Sequence, residues 1–304
     1  MSSSTSNTDS PPTEYAETRL LVKHGFELAR SLGITKVLVY AELVSDQRLV
    51  ETHRETETLI WITAGESPDT SKEHEFFVEV PGETNRISQV TLGVIMGVFR
   101  GVVETAESVI CLTGLAGSKR LDNLLIINPK RDFPWFSNHE EEAMVPESVN
   151  LRELLQLLTI SLRFASEGRE GKPIGTTFVL GEVEQLKPHL RPLILNPLEG
   201  HLKKTRNVYD NKFLETLREL AALDGAFIVN PKGVVEFAAV YLDAPLPANL
   251  KIAKGLGARH VAAAAITSKA DCVAVVISES SGNISVFYKG QAVMTLEGHG
   301  GGGR

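Results

Sequence analysis

Over roughly the first 130 residues, short apolar runs alternate with amphipathic segments, and that alternation leaves few architectures open. From Glu14 to about Leu32 the apolar side chains Leu20, Leu21, Phe26, Leu28, Ala29 and Leu32 recur at helical spacing, and Gly33 supplies a stop. TKVLVYA follows as a β run, then TLIWITA and FFVEV, a long helix over roughly Ile87–Glu104, and the β runs SVICLT and NLLIIN. Strands separated by helices predict a mostly parallel sheet covered on both faces, an α/β domain over residues 14–137.

The stretch PKRDFPWFSNHEEEAMVPES breaks this pattern with three prolines and a run of acids, and reads as a linker over 138–147. A second, mixed α+β domain is expected over 148–298. A helix starts near Ser148, whose hydroxyl is the expected cap, and runs through LRELLQLLTISLRFA. The β run GTTFVLG comes next, then a loop rich in proline and basic residues. NKFLETLRELAAL is a further amphipathic helix. AFIVN and VVEFAAVYL predict a hairpin around Pro231-Lys232-Gly233, a good turn sequence. GLGARHVAAAAITSK reads as loop into helix, and CVAVVIS, NISVFYK and QAVMTL as closing strands of a central mixed sheet. The polar residues 1–13 and the glycine-rich residues 299–304 are expected to be flexible tails.

Length and charge narrow the function classes. A chain of 304 residues suits two domains. A net charge of −7 argues against broad nucleic-acid binding, which favours a basic surface, but not against binding one nucleotide at a local cluster of cations and N–H groups. Cys111 and Cys272 sit in apolar runs and read as reduced core residues, as in a cytoplasmic protein. The N-terminus lacks a basic n-region and an apolar h-region. VTLGVIMGVFRGVVETAES carries Arg100, Glu104 and Glu107, so it reads as a buried helix and not a membrane span.

Three stretches carry potential chemistry, and each has a bland reading beside it. In LDGAF, Asp224 precedes Gly225 and Ala226 at the start of a β run, where small residues let a flat group approach the backbone; alone, Asp-Gly is a turn. In GLGARHVAAAA, Gly255 and Gly257 precede a helix whose first N–H groups can bind an anion. Arg259 can fork onto phosphate oxygens there, His260 adds a donor, and Ala262–Ala265 allow close packing. Alone, that arginine is solvated. In VVISESSGNISV, Ser278 and Glu279 end a strongly apolar strand; alone, they form a polar turn. Together, an acid, an anion site and a Ser-Glu pair at element ends can converge on one site for metal-assisted nucleotidyl transfer.

These blocks resemble the signatures of diadenylate cyclases, whose usual pattern is Asp-Gly-Ala, then Gly-Thr-Arg-His-Arg, then Ser-Glu-Glu-Thr-Gly. REGKPIGTTFVLG and LILNPLEGH are similar to the segments ahead of that core, so the resemblance spans roughly residues 148–296. TRLLVKHGFELARSLGITKVLVYAE in the first half resembles the C-terminal α/β domain of pyruvate kinase. The arrangement resembles that of archaeal-type diadenylate cyclases. The resemblance implies condensation of two ATP into cyclic di-AMP and two pyrophosphates with Mn²⁺ or Mg²⁺. It implies that Asp224 binds the metal and helps activate the ribose 3′-hydroxyl, with Glu279 supporting the metal. Gly225 and Ala226 would lie near base and ribose, and Leu242, with Tyr241 beside it, would pack on adenine. Gly257, Ala258, Arg259 and His260 would face the phosphates, and Ser278 would bond a phosphate oxygen. Each 3′-hydroxyl must attack the other ATP, so a homo-oligomer with transient face-to-face contacts is implied; nucleic acid and membrane are not expected partners.

The chain departs from the pattern at three places: Ala258 lacks the usual threonine hydroxyl, Val261 replaces an arginine, and Ser280 replaces a glutamate. Loss of a directly bonding arginine weakens a phosphate clamp by about 1–3 kcal/mol. Lys203, Lys204 and Arg206 are candidate replacements, against the reading of a solvated loop. A non-catalytic adenine-nucleotide sensor is the alternative. A phosphoryl-transfer enzyme centred on LTGLAGSKRLDN is a third reading, but the chain contains no GxxxxGK[ST] P-loop.

Overall fold

A computed structural model describes residues 13–63, 74–79, 86–115, 117–133, 146, 148–168, 174–247 and 257–296. The expected tails at 1–13 (apart from Thr13) and 299–304, nearly all of the linker at 138–147, and Gly255 lie outside them. The chain divides into two compact units between Asp132 and Phe133.

In the first unit, strands β1 (Lys36–Tyr40), β2 (Thr58–Thr63), β3 (Glu75–Glu79), β4 (Val109–Thr113) and β5 (Asn123–Ile127) form a sheet of order β3-β2-β1-β4-β5. The pairs β1–β2, β2–β3 and β1–β4 are parallel. Only β5 runs antiparallel, and the nine residues between it and β4 are too few for a crossover back to the same edge. Helix α1 (Thr13–Leu32) buries Val22, Phe26 and Ala29 and stops at Gly33, whose φ of +68° is the left-handed geometry that glycine adopts freely. A one-and-a-half-turn helix α2 (Arg48–His53), absent from the sequence reading, follows β1. Helix α3 spans Arg86–Phe99, so the apolar stretch helical to Glu104 by pattern ends five residues sooner. Its residues 88–97 are buried, and no helix among the described residues is long and apolar enough to cross a membrane.

The second unit holds seven strands: β6 (Thr176–Gly181), β7 (Leu190–Pro192), β8 (Ala226–Val229), β9 (Val235–Leu242), β10 (Cys272–Ile277), β11 (Ile284–Tyr288) and β12 (Gln291–Leu296). Their order is β12-β11-β10-β6-β8-β9-β7, and only β6–β8 is parallel. Helix α4 (Leu151–Glu167) is capped by Asn150, whose side chain accepts from the Arg152 N–H; Ser148, the expected cap, lies one residue before Val149 and its hydroxyl donates to Asp271 at 3.5 Å instead. Alternation along β6 sends Phe178 to one face and Val179 to the other. Phe178 stacks on Phe227 at 5.2 Å and meets Phe164 of α4. On the opposite face Val179, Ile228, Ala274 and Val276 pack with Ala263, Ala264 and Ile266 of a helix over Ala258–Thr267, α6; helix α5 spans Asn211–Leu220. Alanines let α6 lie close to the sheet, which is the use of that small-residue run. Cys111 and Cys272 are buried free thiols, one in each unit, and burial pushes the Cys272 thiol up to about 12.

Candidate functional site

The registers of the second sheet bring the sequence-predicted residues to one edge. β6 and β8 run parallel with Thr177 opposite Ala226, so both strands begin at this edge. β10 is antiparallel to β6 with Ile277 opposite Thr176, and β9 antiparallel to β8 with Val240 opposite Ala226, so both end there. Asp224 and Gly225 before β8, Tyr241 and Leu242 closing β9, and Ser278 and Glu279 after β10 therefore share one rim.

Arg259 in the first turn of α6 joins two of these segments. Its Nη2 lies 3.7 Å from Asp224 Oδ1, and its Nη1 donates to Glu279 Oε2 at 3.2 Å. The arginine is two-thirds buried, whereas the Asp224 side chain is 93% exposed. An exposed carboxylate of this kind contributes little to stability and is open to an incoming group. Gly257 caps α6 without a side-chain hydrogen bond and Ala258 is exposed, so the cap offers the first N–H groups of the helix no side-chain acceptor.

Gly225 has a φ of +106°, and a Cβ there would lie 2.6 Å from Val240 N and 2.8 Å from Ala239 C. It sits directly on the backbone of β9, where Ala239 is itself at φ +54° and the β8–β9 register shifts. Ser278 forms the neck of a tight turn: its N–H donates to Asn283 O and its carbonyl accepts from Gly282 N–H, both at 2.8 Å. Its hydroxyl lies 3.2 Å from that of Ser280, so the serine at the departing position holds the turn's own hydroxyl pair.

His260 and Leu242 stand apart from this cluster. The His260 ring is buried edge-on against Phe287 at 6.0 Å, and burial lowers its pKa. Leu242 is taken into the core, and Tyr241 carries an exposed ring under the Arg191 guanidinium at 4.9 Å. Ala226 is buried in β8. Arg206 is neither a spare phosphate cation nor a solvated side chain. Its Nη1 donates to Glu236 Oε2 and to Val235 O, both at 2.6 Å, and its Nε donates to His201 O, so the fork is spent on folding the loop. Lys203 lies 3.8 Å from the same Glu236 but is largely exposed. Sequence reasoning missed Gly175, which precedes β6 beneath Glu279 and Arg259; its only signal was a glycine opening the run GTTFVLG. Among the described residues no group of three or more His, Cys, Asp or Glu side chains could hold a metal.

In the first unit, an open cleft of about 360 Å³ beyond the ends of β1 and β4 is lined in part by Thr18, Leu43, Asp46, Arg48 and Lys119. Lys119 brings the LTGLAGSKR loop to it, in place of any P-loop.

A strand-start aspartate, an arginine at a helix start and a Ser-Glu turn thus share one sheet rim. Residues 163–292 match the family described as DisA bacterial checkpoint controller nucleotide-binding. The chain is similar to proteins named diadenylate cyclase. Two relatives bear that name: one from Methanocaldococcus jannaschii, 25% identical with 92% of this chain and 96% of the relative covered, and one from Haloferax volcanii, 28% identical with 76% and 83% covered. Among solved structures, a DacA from Staphylococcus aureus is 24% identical with 48% of this chain and 85% of that chain covered, at a TM-score of 0.32. A pyruvate kinase from Cryptosporidium parvum is 12% identical with 36% and 22% covered, at a TM-score of 0.29. These two scores are too low to carry the fold, which rests on the strand orders given above.

Proposed function

We propose that the rim of the second sheet binds ATP and that two such rims, facing one another, condense two ATP into cyclic di-AMP and two pyrophosphates. The observation that carries this reading is Arg259 held between Asp224 and Glu279 at one sheet edge. With a triphosphate bound, the guanidinium turns from carboxylate to phosphate oxygens, an exchange between two planar anionic partners. The uncapped first turn of α6 adds N–H donors for the same charge. The Ser278 hydroxyl, already at the mouth of its turn, donates to a phosphate oxygen. Gly225, flat against β9, leaves room for the ribose.

Asp224 and Glu279 are hard oxygen donors with open surroundings, and they fit Mn²⁺ or Mg²⁺, which keep water and substrate phosphates in their shells. Such an ion would neutralise triphosphate charge and acidify the 3′-hydroxyl. Asp224 then stands where it can orient that hydroxyl. The 3′-oxygen bonds to the α-phosphorus of the partner's ATP, the bond from that phosphorus to the pyrophosphate oxygen breaks, and the hydroxyl proton leaves to solvent. Two reciprocal attacks close the ring, so a lone domain binds ATP without cyclising it.

Incubation of the chain with ATP and Mn²⁺, followed by chromatography, is expected to yield cyclic di-AMP. ATP binding with no product would leave the sensor reading, which the departures at Ala258, Val261 and Ser280 favour. Absence of ATP binding would end both.

A further inference from the structure

We infer that Gly175 is a positioning residue of the nucleotide site, an inference that rests on the ATP reading above. Gly175 is buried at the entry to β6, the strand at the middle of the second sheet. A Cβ at this position would lie 2.5 Å from Glu279 Cβ, 3.1 Å from Glu279 Cα and 3.0 Å from Arg259 Nη1. Its φ does not fall in the left-handed region, in contrast to the +106° of Gly225. Space and not backbone geometry therefore excludes a side chain here. The atoms that exclude it belong to two residues of the site.

The missing side chain has a specific consequence. Glu279 and the Arg259 guanidinium settle directly onto the backbone at Gly175, just ahead of β6, and from that height Arg259 reaches both Glu279 and Asp224. The substitution Gly175→Ala requires Glu279 to withdraw by about 1 Å to restore ordinary contact. A shift of that size in a group that orients substrate can cost about 100-fold in rate. Glu279 lies on an exposed turn, so the turn yields and the sheet does not.

The steric origin makes the claim testable through compensation. In the full chain, the affinity for 3′-deoxyadenosine triphosphate with Mn²⁺ is measured by calorimetry; this probe cannot cyclise because it lacks the attacking hydroxyl. Gly175→Ala is expected to weaken binding about 10-fold or more. In a Glu279→Gly background the one contact below 3.0 Å is gone and those with Glu279 Cα and Arg259 Nη1, at 3.1 and 3.0 Å, need only small shifts, so the same substitution is expected to cost less than about 3-fold, whatever Glu279→Gly costs by itself. Equal losses in the two backgrounds, no loss in the wild-type background, or unfolding by Gly175→Ala in both would overturn the role of Gly175 and leave the nucleotide reading intact. Failure of the wild-type chain to bind the probe would overturn that reading, and the role of Gly175 with it.

Discussion

At the scale of single residues, the rim separates exposed side chains, which the proposed reading assigns to the ligand, from buried ones that serve the fold. Asp224 is so exposed that the fold gains little from it. Asp224→Asn is expected to lower cyclic di-AMP formation by about 100-fold or more, the scale for misplacing a group that orients the attacking hydroxyl. Its thermal midpoint should stay within about 2 °C of wild type, as for a surface substitution. A wild-type rate in this variant would remove Asp224 from the chemistry. His260 is the opposite case. Its ring packs on Phe287 and burial holds its pKa below the ordinary 6.5, so the unfolded chain takes up a proton first as pH falls. The stability this neutral ring contributes is complete above about pH 6.5 and declines as pH drops below that value toward the folded pKa. Thermal melts at about pH 7.5 and about pH 5.5 should show a lower midpoint in acid, and His260→Leu should shrink the difference. An undiminished difference in the variant would assign the acid sensitivity to other groups.

At the scale of elements, the loop between β7 and α5 is held by a polar clip that sequence reasoning put to a different use. Arg206 ties Glu236, Val235 O and His201 O, and Asn230 donates to the other Glu236 oxygen at 2.8 Å. Both ionised side chains are less than one-fifth exposed. Arg206→Ala leaves Glu236 with a lost partner in that environment and should cost about 1–3 kcal/mol of stability, read as a drop in denaturant midpoint at unchanged slope. Its affinity for ATP should change less than about 2-fold, as for a residue remote from the ligand; a large loss would restore Arg206 as a phosphate ligand. The reason for the misreading is general. A basic stretch such as KKTR shows charge, but which acid it meets is decided by the partner strand, here β9, some thirty residues away. The same limit explains the other gaps. β7 is three residues inside a proline-rich loop, too short to show a period. The φ of +54° at Ala239 has no signal, because alanine does not advertise a left-handed conformation as glycine does. The first sheet was legible because its β runs stand out between the amphipathic helices α1 and α3, and the three site blocks were legible because each lies where a strand or helix begins or ends. Their convergence, and the place of Gly175 beneath them, depend on the β6–β10 register, which no local pattern encodes.

At the scale of the whole molecule, the decisive question is how many chains one product requires. Each rim offers one arginine at one helix start and one exposed aspartate, a set suited to one triphosphate and one ribose. In the proposed reaction each 3′-hydroxyl attacks the α-phosphate of the other ATP, so the second nucleotide arrives on another rim, and a two-fold axis is the simplest operator that makes the two attacks equivalent. This predicts a quadratic response to inactive partners. When wild-type and Asp224→Asn chains are co-expressed in equal amounts and purified as a mixture, only pairs with two intact rims complete both bonds. Product per total chain is expected to fall to about a quarter of the wild-type value, because random pairing leaves that share of fully intact pairs. A fall to only about a half would mean that each chain turns over by itself. Binding of 3′-deoxyadenosine triphosphate to wild-type chains diluted stepwise gives the complementary measure. Affinity per chain should hold constant while cyclisation per chain declines once pairs dissociate, since the rim is complete for binding and half of a site for chemistry.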